Sequence, residues 1–249
     1  MSKPIEVLSV AGLPEIGEGD ALGQMLGAAA ELRDGDALVV SQKVVSKAEG
    51  RVRRLAEVEP GERARELASR LGKQAALVQV VLDESRSVIR AEGGVLITET
   101  NGGWICANAG VDASNVPERG CVTLLPLDAD ASARRIRSEI RAACHVAPAV
   151  VISDSFGRPW RRGQCDIAIG CAGLAPLEDW RGRRDRSGRE LAATVVALAD
   201  EIAAAADLVR DKDAGGPAAV VRGLSERVTD EDGRGAASIQ RPKQDDLFR

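Results

Sequence analysis

An α+β fold is predicted for this chain, on three observations. Short runs rich in Val, Ile and Leu, bounded by Gly, Asp or Asn, read as strands. Longer Ala-, Leu- and Arg-rich stretches with a period near 3.6 read as helices. The two kinds are mixed without strict βαβ alternation, and no internal repeat organises them. The 249 residues suffice for one large domain or two small ones.

Along the chain, residues 36–42 (DALVVSQ) form the first clear strand. Residues 62–72 (ERARELASRLG) have helical spacing, and residues 76–82 (ALVQVVL) read as a strand because they are rich in Val and Leu. Residues 94–100 (GVLITET) and 104–110 (WICANAG) flank Asn-Gly-Gly at 101–103, which reads as a hairpin turn. Residues 121–127 (CVTLLPL) and 149–154 (AVVISD) are further strands, and residues 131–144 are a helix. The longest helical pattern covers residues 188–210, and Ser187 with Glu190 has the Ser-x-x-Glu spacing of a capping box at its start. Beyond Gly223 the chain turns polar. The reading is a domain over 1–224 and a tail over 225–249, partly disordered or ordered by a partner.

Composition removes several functions. Hydrophobic residues make up 44% and aromatics 2%, so the core must be built from Ala, Val, Leu and Ile. A net charge of −4 argues against a general nucleic-acid binder, yet leaves room for a local basic pocket. The amino-terminal stretch MSKPIEVLSV has no signal-peptide character and nothing reads as a membrane span, so a soluble cytoplasmic protein is expected. The five cysteines are odd in number and none has C-x-x-C spacing, which points to reduced, buried thiols. A single histidine, His145, makes a His-based metal site or a Ser-His-Asp triad a poor expectation. Neither G-x-x-x-x-G-K-[ST] nor G-x-G-x-x-G occurs, so any nucleotide must be held by another arrangement.

Four stretches could carry chemistry. The apolar run at 149–153 ends in Asp154 and Ser155, a carboxylate and a hydroxyl at a strand tip, the oxygen donors that Mg²⁺ and Mn²⁺ prefer. The segment ICANAGVDASN runs likewise into Asp112, Ser114 and Asn115. Taken alone, each aspartate reads more readily as a turn or helix cap. Between Arg158 and Arg189 lie eight arginines and four acids, a net +4 inside an acidic protein, which suits either a solvated loop or a pocket for a multiply anionic substrate. SQKVVSKAEGR (41–51) places Lys43 and Lys47 just after a strand, where they could meet phosphate. DKDAGGPAAVVRG (211–223) carries adjacent glycines that either end a helix or let backbone amides approach a phosphate. Carboxylates, lysines, a Gly-rich loop and arginines together suit phosphoryl transfer.

Taken in order, SQKVVSKAEGR, NAGVDASNV, ISDSFGRPWRRG, the block from AIGCAGLAPLEDW to EIAAAADL, and GGPAAVVRG resemble the coenzyme F420-0:L-glutamate ligase (F420 gamma-glutamyl ligase) family, in its stand-alone form. The resemblance covers roughly residues 5 to 224. It implies an α+β fold of mixed sheets and helices in two intertwined sub-domains, and a homodimer to whose interface the tail could contribute. It implies GTP-dependent ligation of L-glutamate to F420-0, then further γ-linked glutamates, through an acyl phosphate. Mn²⁺ or Mg²⁺ would be required and K⁺ is suggested, with no membrane or nucleic-acid partner. By motif, Asp112 and Asp154 match acidic metal positions, Ser155 stands beside the second, and Asp211 lies where some relatives touch a second cation. Gly12, Leu13, Pro14, Glu15, Ser41, Gln42, Lys47 and Asn115 match nucleotide-binding segments, as does the loop Val209, Arg210, Asp211, Lys212, Asp213, Ala214, Gly215 and Gly216. Arg158, Arg161 and Arg162 are placed against anionic substrate by inference rather than by motif. The alternatives are a non-catalytic GTP-binding relative, and a nucleotide-driven amide ligase for another acidic acceptor.

Overall fold

The computed structural model describes residues 4–116, 118–210 and 215–247. The first elements are strand β1 (Glu6–Val10), helix α1 (Leu22–Ala29), strand β2 (Ala37–Ser41) and helix α2 (Gln42–Ala48). A second lobe follows, with β3 (Val52–Arg54), α3 (Glu62–Leu71), α4 (Ala75–Asp83), β4 (Ser85–Glu92), β5 (Val95–Thr100), β6 (Ile105–Ala107) and β7 (Cys121–Thr123). The chain then returns to the first lobe through α5 (Ala129–Cys144), β8 (Ala149–Arg158), β9 (Arg161–Ala172), the short pair β10 (Glu178–Asp179) and β11 (Val195–Val196), α6 (Leu198–Asp207) and β12 (Ala218–Arg222). This is an α+β fold, as the mixed sequence pattern predicts.

The first lobe is built on a five-stranded sheet in the order β1-β12-β2-β8-β9. Only β2 and β8 run parallel; the other neighbours are antiparallel. Both faces are covered. Leu38 and Val40 pack with α1 and α5, whereas Ala37 and Val39 pack with α6, so β2 is apolar without alternation. In α5, Ala133, Ile136 and Ile140 line one buried stripe at helical spacing. Asp128 caps this helix by accepting from the Ala131 amide at 2.8 Å. The lone histidine ends it in the left-handed conformation, φ 58°, which is a backbone role. The second lobe has its own core, in which α3 and α4 pack on Leu96, Val122 and Leu124.

Several sequence expectations are corrected. The run 76–82 lies in helix α4, because a short apolar stretch is equally a buried helix, and here one side packs on α3. The strand expected at 104–110 stops at Ala107 and gives way to a left-handed turn, with Asn108, Ala109 and Gly110 all at positive φ. The strand expected at 121–127 ends at Thr123, and that expected at 149–154 continues to Arg158. Of residues 188–210 only Leu198–Asp207 is α-helical. Asp185 Oδ1 takes the amides of Ser187 (2.8 Å) and Arg189 (2.9 Å), and Arg184 bridges Glu190. Ser187 and Glu190 therefore belong to an exposed turn rather than a capping box. The expected hairpin turn at 101–103 does join β5 and β6.

The polar tail returns to the body. The Arg137 guanidinium is buried and donates to the carbonyls of Thr229 and Asp230 and to the Asp232 carboxylate. Asp130, also buried, accepts from the amides of Cys171 (2.8 Å), Ala236 (2.6 Å) and Ala237 (3.1 Å). Gly235 is required here, since its φ is +76° and a Cβ would lie 2.3 Å from Asp130 Cγ. Among the described residues no helix is long and apolar enough to cross a membrane.

Candidate active site

Sheet topology gathers the candidate residues at one edge. Val10, Ala218, Val40 and Ile152 form one register row across β1, β12, β2 and β8. Two residues beyond that row, on the same side, stand Gly12, Gly216, Gln42 and Asp154. Four segments distant in sequence thus meet at one end of the sheet, where parallel β2 ends and β8 runs on with β9 to Arg158. This is where parallel strands of α/β sheets place ligands.

Asp154 points to the α5 side of the sheet, in register with Ile167. Burial pushes its carboxyl up to about pKa 7; the Ser155 amide opposes this, while the charges of Asp166 and Asp112 add to it. Across from it, Asp112 bridges to Thr123 and follows the left-handed turn at 108–110. Burial works against the Asp112 charge, yet Lys43 and the Ser114 amide overcome it and hold the pKa below the usual carboxylate value. Lys43 Nζ lies 2.8 Å from Asp112 Oδ2 and 2.5 Å from Ser114 Oγ, and the Ser114 amide donates to Asp112 Oδ1 at 2.6 Å. The Cys106 thiol lies close enough to Asp154 to feel its charge; burial first, then that charge, push it up to about 12. It is therefore a neutral thiol rather than a nucleophile.

Ser155 faces the opposite way. Its hydroxyl donates to Asp166 Oδ1 at 2.6 Å, and Ser153 Oγ donates to Asp166 Oδ2 at 2.8 Å. Arg210, at the end of α6, donates to both Asp166 and Ser153. The Nε and Nη1 of Arg210 are buried with no hydrogen-bond partner among the described residues. Asp166 is a functional candidate that the sequence reading missed. Its signal was the apolar alternation of residues 165–172, which marks β9 with one buried acid in it.

The remaining expectations are distributed as follows. Lys47 is buried and pairs with exposed Glu15 at 2.6 Å, joining two nucleotide-segment candidates. Leu13 packs on the core beside exposed Pro14, and Gly12 has φ +80°. The Ser41 amide donates to Pro217 O at 2.8 Å, which sets it beside Gly216. Gln42 is fully buried; its Oε1 accepts from Ser46 Oγ, and its Nε2 has no partner among the described residues. Asn115 is exposed in a turn at φ 54°. Val209 is half-buried against the α6 side, and Gly215 is exposed. Asp211, Lys212, Asp213 and Ala214 lie outside the described residues. Arg158, Arg161 and Arg162 are exposed at the β8–β9 hairpin tip, where Arg158 pairs with Arg161 in register and donates to Arg162 O. Four residues of strand, roughly 13 Å, separate them from Asp154.

The donor chemistry fits a hard divalent cation. Asp154 is a largely covered acid with two more nearby, Asp112 paired to Lys43 and Asp166 paired to Arg210, and a cation would let it ionise. Among the described residues no third His, Cys, Asp or Glu completes a ligand set with them. Asp112 and Asp154 would thus leave positions open for water or phosphate oxygens.

Comparison with known proteins places a chain of this fold among the ligases that form carbon–nitrogen bonds. The chain belongs to the F420-0:gamma-glutamyl ligase family, whose model matches residues 12–223. It is 45% identical over 247 residues to the coenzyme F420:L-glutamate ligase of Archaeoglobus fulgidus, covering 98% of this chain and 96% of that one. It is 42% identical over 251 residues to the protein of the same name from Methanothermobacter thermautotrophicus, covering 98% and 99%. With that of Methanopyrus kandleri it shares 46% identity over 233 residues, covering 93% and 92%.

Proposed function

We propose that this chain ligates L-glutamate to the carboxylate of coenzyme F420-0, using GTP, and then adds γ-linked glutamates. The observation that carries this reading is near-full-length identity of 42–46% to three coenzyme F420:L-glutamate ligases. The convergence of Asp112, Asp154, Lys43 and the Gly12, Ser41 and Gly216 segments at one sheet edge supports it.

A free carboxylate is a poor acyl electrophile, so it must first gain a leaving group. In the proposed route an acceptor carboxylate oxygen attacks the γ-phosphorus and GDP leaves. The glutamate amine then attacks the acyl carbon, inorganic phosphate leaves, and the amine proton passes to solvent. Asp112 and Asp154 would hold Mn²⁺ or Mg²⁺, which would offset repulsion between carboxylate and triphosphate. Lys43 keeps Asp112 ionised in readiness, and Lys47 and the glycine segments would meet phosphate oxygens. A K⁺ ion, a homodimer and a cytoplasmic location belong to the same proposal. The test is glutamylation of F420-0 with GTP against ATP, in the presence and absence of divalent metal. Glutamyl products that form with GTP and vanish with chelator support the reading.

A further inference from the structure

A cavity of about 340 Å³ opens between the turn at 100–104, the start of α5 and the C-terminal tail. Two of its lining residues lead toward the acidic site. Its lining includes Ile169, which shares the α5-side core with Ile167, the register partner of Asp154. It also includes Ala109, in the turn that leads into Asp112. Such a volume lies at the lower end of the range for enclosed ligand sites, roughly 300–1,000 Å³.

The lining selects among ligands. Trp104, Leu125, Pro126 and Leu127 supply aromatic and apolar wall, and the amides of Asn101 and Gln240 stand on the polar side, Asn101 with its Oδ1 to offer because its Nδ2 donates to Asp83 O at 3.1 Å. The acids Glu84, Asp128 and Asp130 also border it. Arg51 is committed, to Glu84 at 2.7 Å and to Leu125 O at 3.0 Å. Asp130 is committed to three backbone amides. Arg134 is the least engaged cation, with Asp128 at 3.8 Å. A triphosphate would meet one available cation, Arg134, with Asp128 beside it, and free glutamate would leave the apolar wall uncovered. A flat heterocycle suits the wall, with its polar edge toward the amides.

We propose that this cavity receives a flat heterocyclic end of the acceptor, with Trp104 as its aromatic wall, Asn101 and Gln240 at the ring's polar edge, and Arg134 at the rim for an anionic group of the same molecule. This rests on the function proposed above. The tail then has a role: Gln240 Nε2 donates to Gly102 O at 2.8 Å, pinning the tail across the cavity, while Asp130 fixes Ala236 and Ala237.

The test is steady-state kinetics on the full chain with F420-0, L-glutamate and GTP each varied, in wild type, Ala237→Trp and Gln240→Ala. Ala237 lines the cavity yet is exposed, so a larger side chain can enter without unpacking a core. The KM for F420-0 should rise about tenfold in Ala237→Trp and about threefold in Gln240→Ala, with the KM values for GTP and glutamate within twofold of wild type. An unchanged acceptor KM in the folded variants, or an equal rise in all three KM values, would overturn the assignment. If Ala237→Trp does not fold, Gln240→Ala decides alone. A folded wild type that never glutamylates F420-0 overturns the proposed function, and that result is read without any variant.

Discussion

Asp166 on β9 and Arg210 at the end of α6 form an ion pair in which each side chain is 5% exposed. The pair holds three segments together, because Asp166 also accepts from Ser153 and Ser155 on β8. It ties the strand that carries Asp154 to the last described residue before 211–214. Two nitrogens of Arg210 still lack partners among the described residues, so the pair is a junction as well as a brace.

Removing one partner of a buried pair strands the other charge, at about 3–5 kcal/mol. Asp166→Ala and Arg210→Ala should each lower urea-unfolding stability by that amount. The double variant should lose clearly less than the sum, since no charge is then left alone. Additive losses would show that the two residues act independently.

Asp154→Asn should abolish turnover and yet stabilise the metal-free protein at neutral pH. The native pKa is about 7 and the ordinary aspartate value 3.8, so between those pH values the folded state binds the extra proton. Stability of the wild type therefore falls as pH rises from about 4 to about 7, by at most about 1.4 kcal/mol per unit for this group. Asparagine has no such slope. Urea midpoints in chelator at pH 5 and pH 8 should show the variant gaining on wild type at the higher pH. A constant difference would contradict the burial account of Asp154.

Lys43→Met should leave the fold nearly intact, because the pair with Asp112 is partly exposed and such pairs contribute about 1 kcal/mol or less. Catalysis should suffer more. Without Lys43, Asp112 loses the contact that lowers its pKa, and kcat/KM should drop about tenfold or more, equivalent to roughly 1.4 kcal/mol. Unchanged kcat/KM would remove Lys43 from the site.

Arg137→Ala should loosen the tail. Three tail contacts end on one guanidinium, and charged hydrogen bonds of this kind contribute about 1.5–3 kcal/mol each, net of the exchange with water. Limited trypsin digestion should cut within 225–247 far faster in the variant, ahead of cleavage in the body. Equal cutting rates would mean that Asp130 alone holds the tail.

Legibility from sequence followed the physics of each element. Strands β2, β5 and β8 and helices α3 and α5 were readable because their burial pattern and local propensity agree. Helix α4 was misread because ALVQVVL carries β-branched residues, and only its packing on α3 decides between helix and strand. Ser187 and Glu190 had cap spacing, yet Asp185 two residues earlier captured the amides first. At the site, Asp112 and Asp154 stood out as acids ending apolar runs. Asp166 did not, because its meaning depends on Arg210, 44 residues away. Lys43 was visible as a cation after a strand, but its partner became clear only once the second lobe folded over β8.

The most direct test of the central claim is mass spectrometry of F420-0 incubated with the purified protein, L-glutamate, Mn²⁺ and either GTP or ATP. The account predicts products heavier by whole glutamyl units with GTP, and none with Asp154→Asn. Folded wild-type protein that yields no glutamylated product with either nucleotide would contradict it.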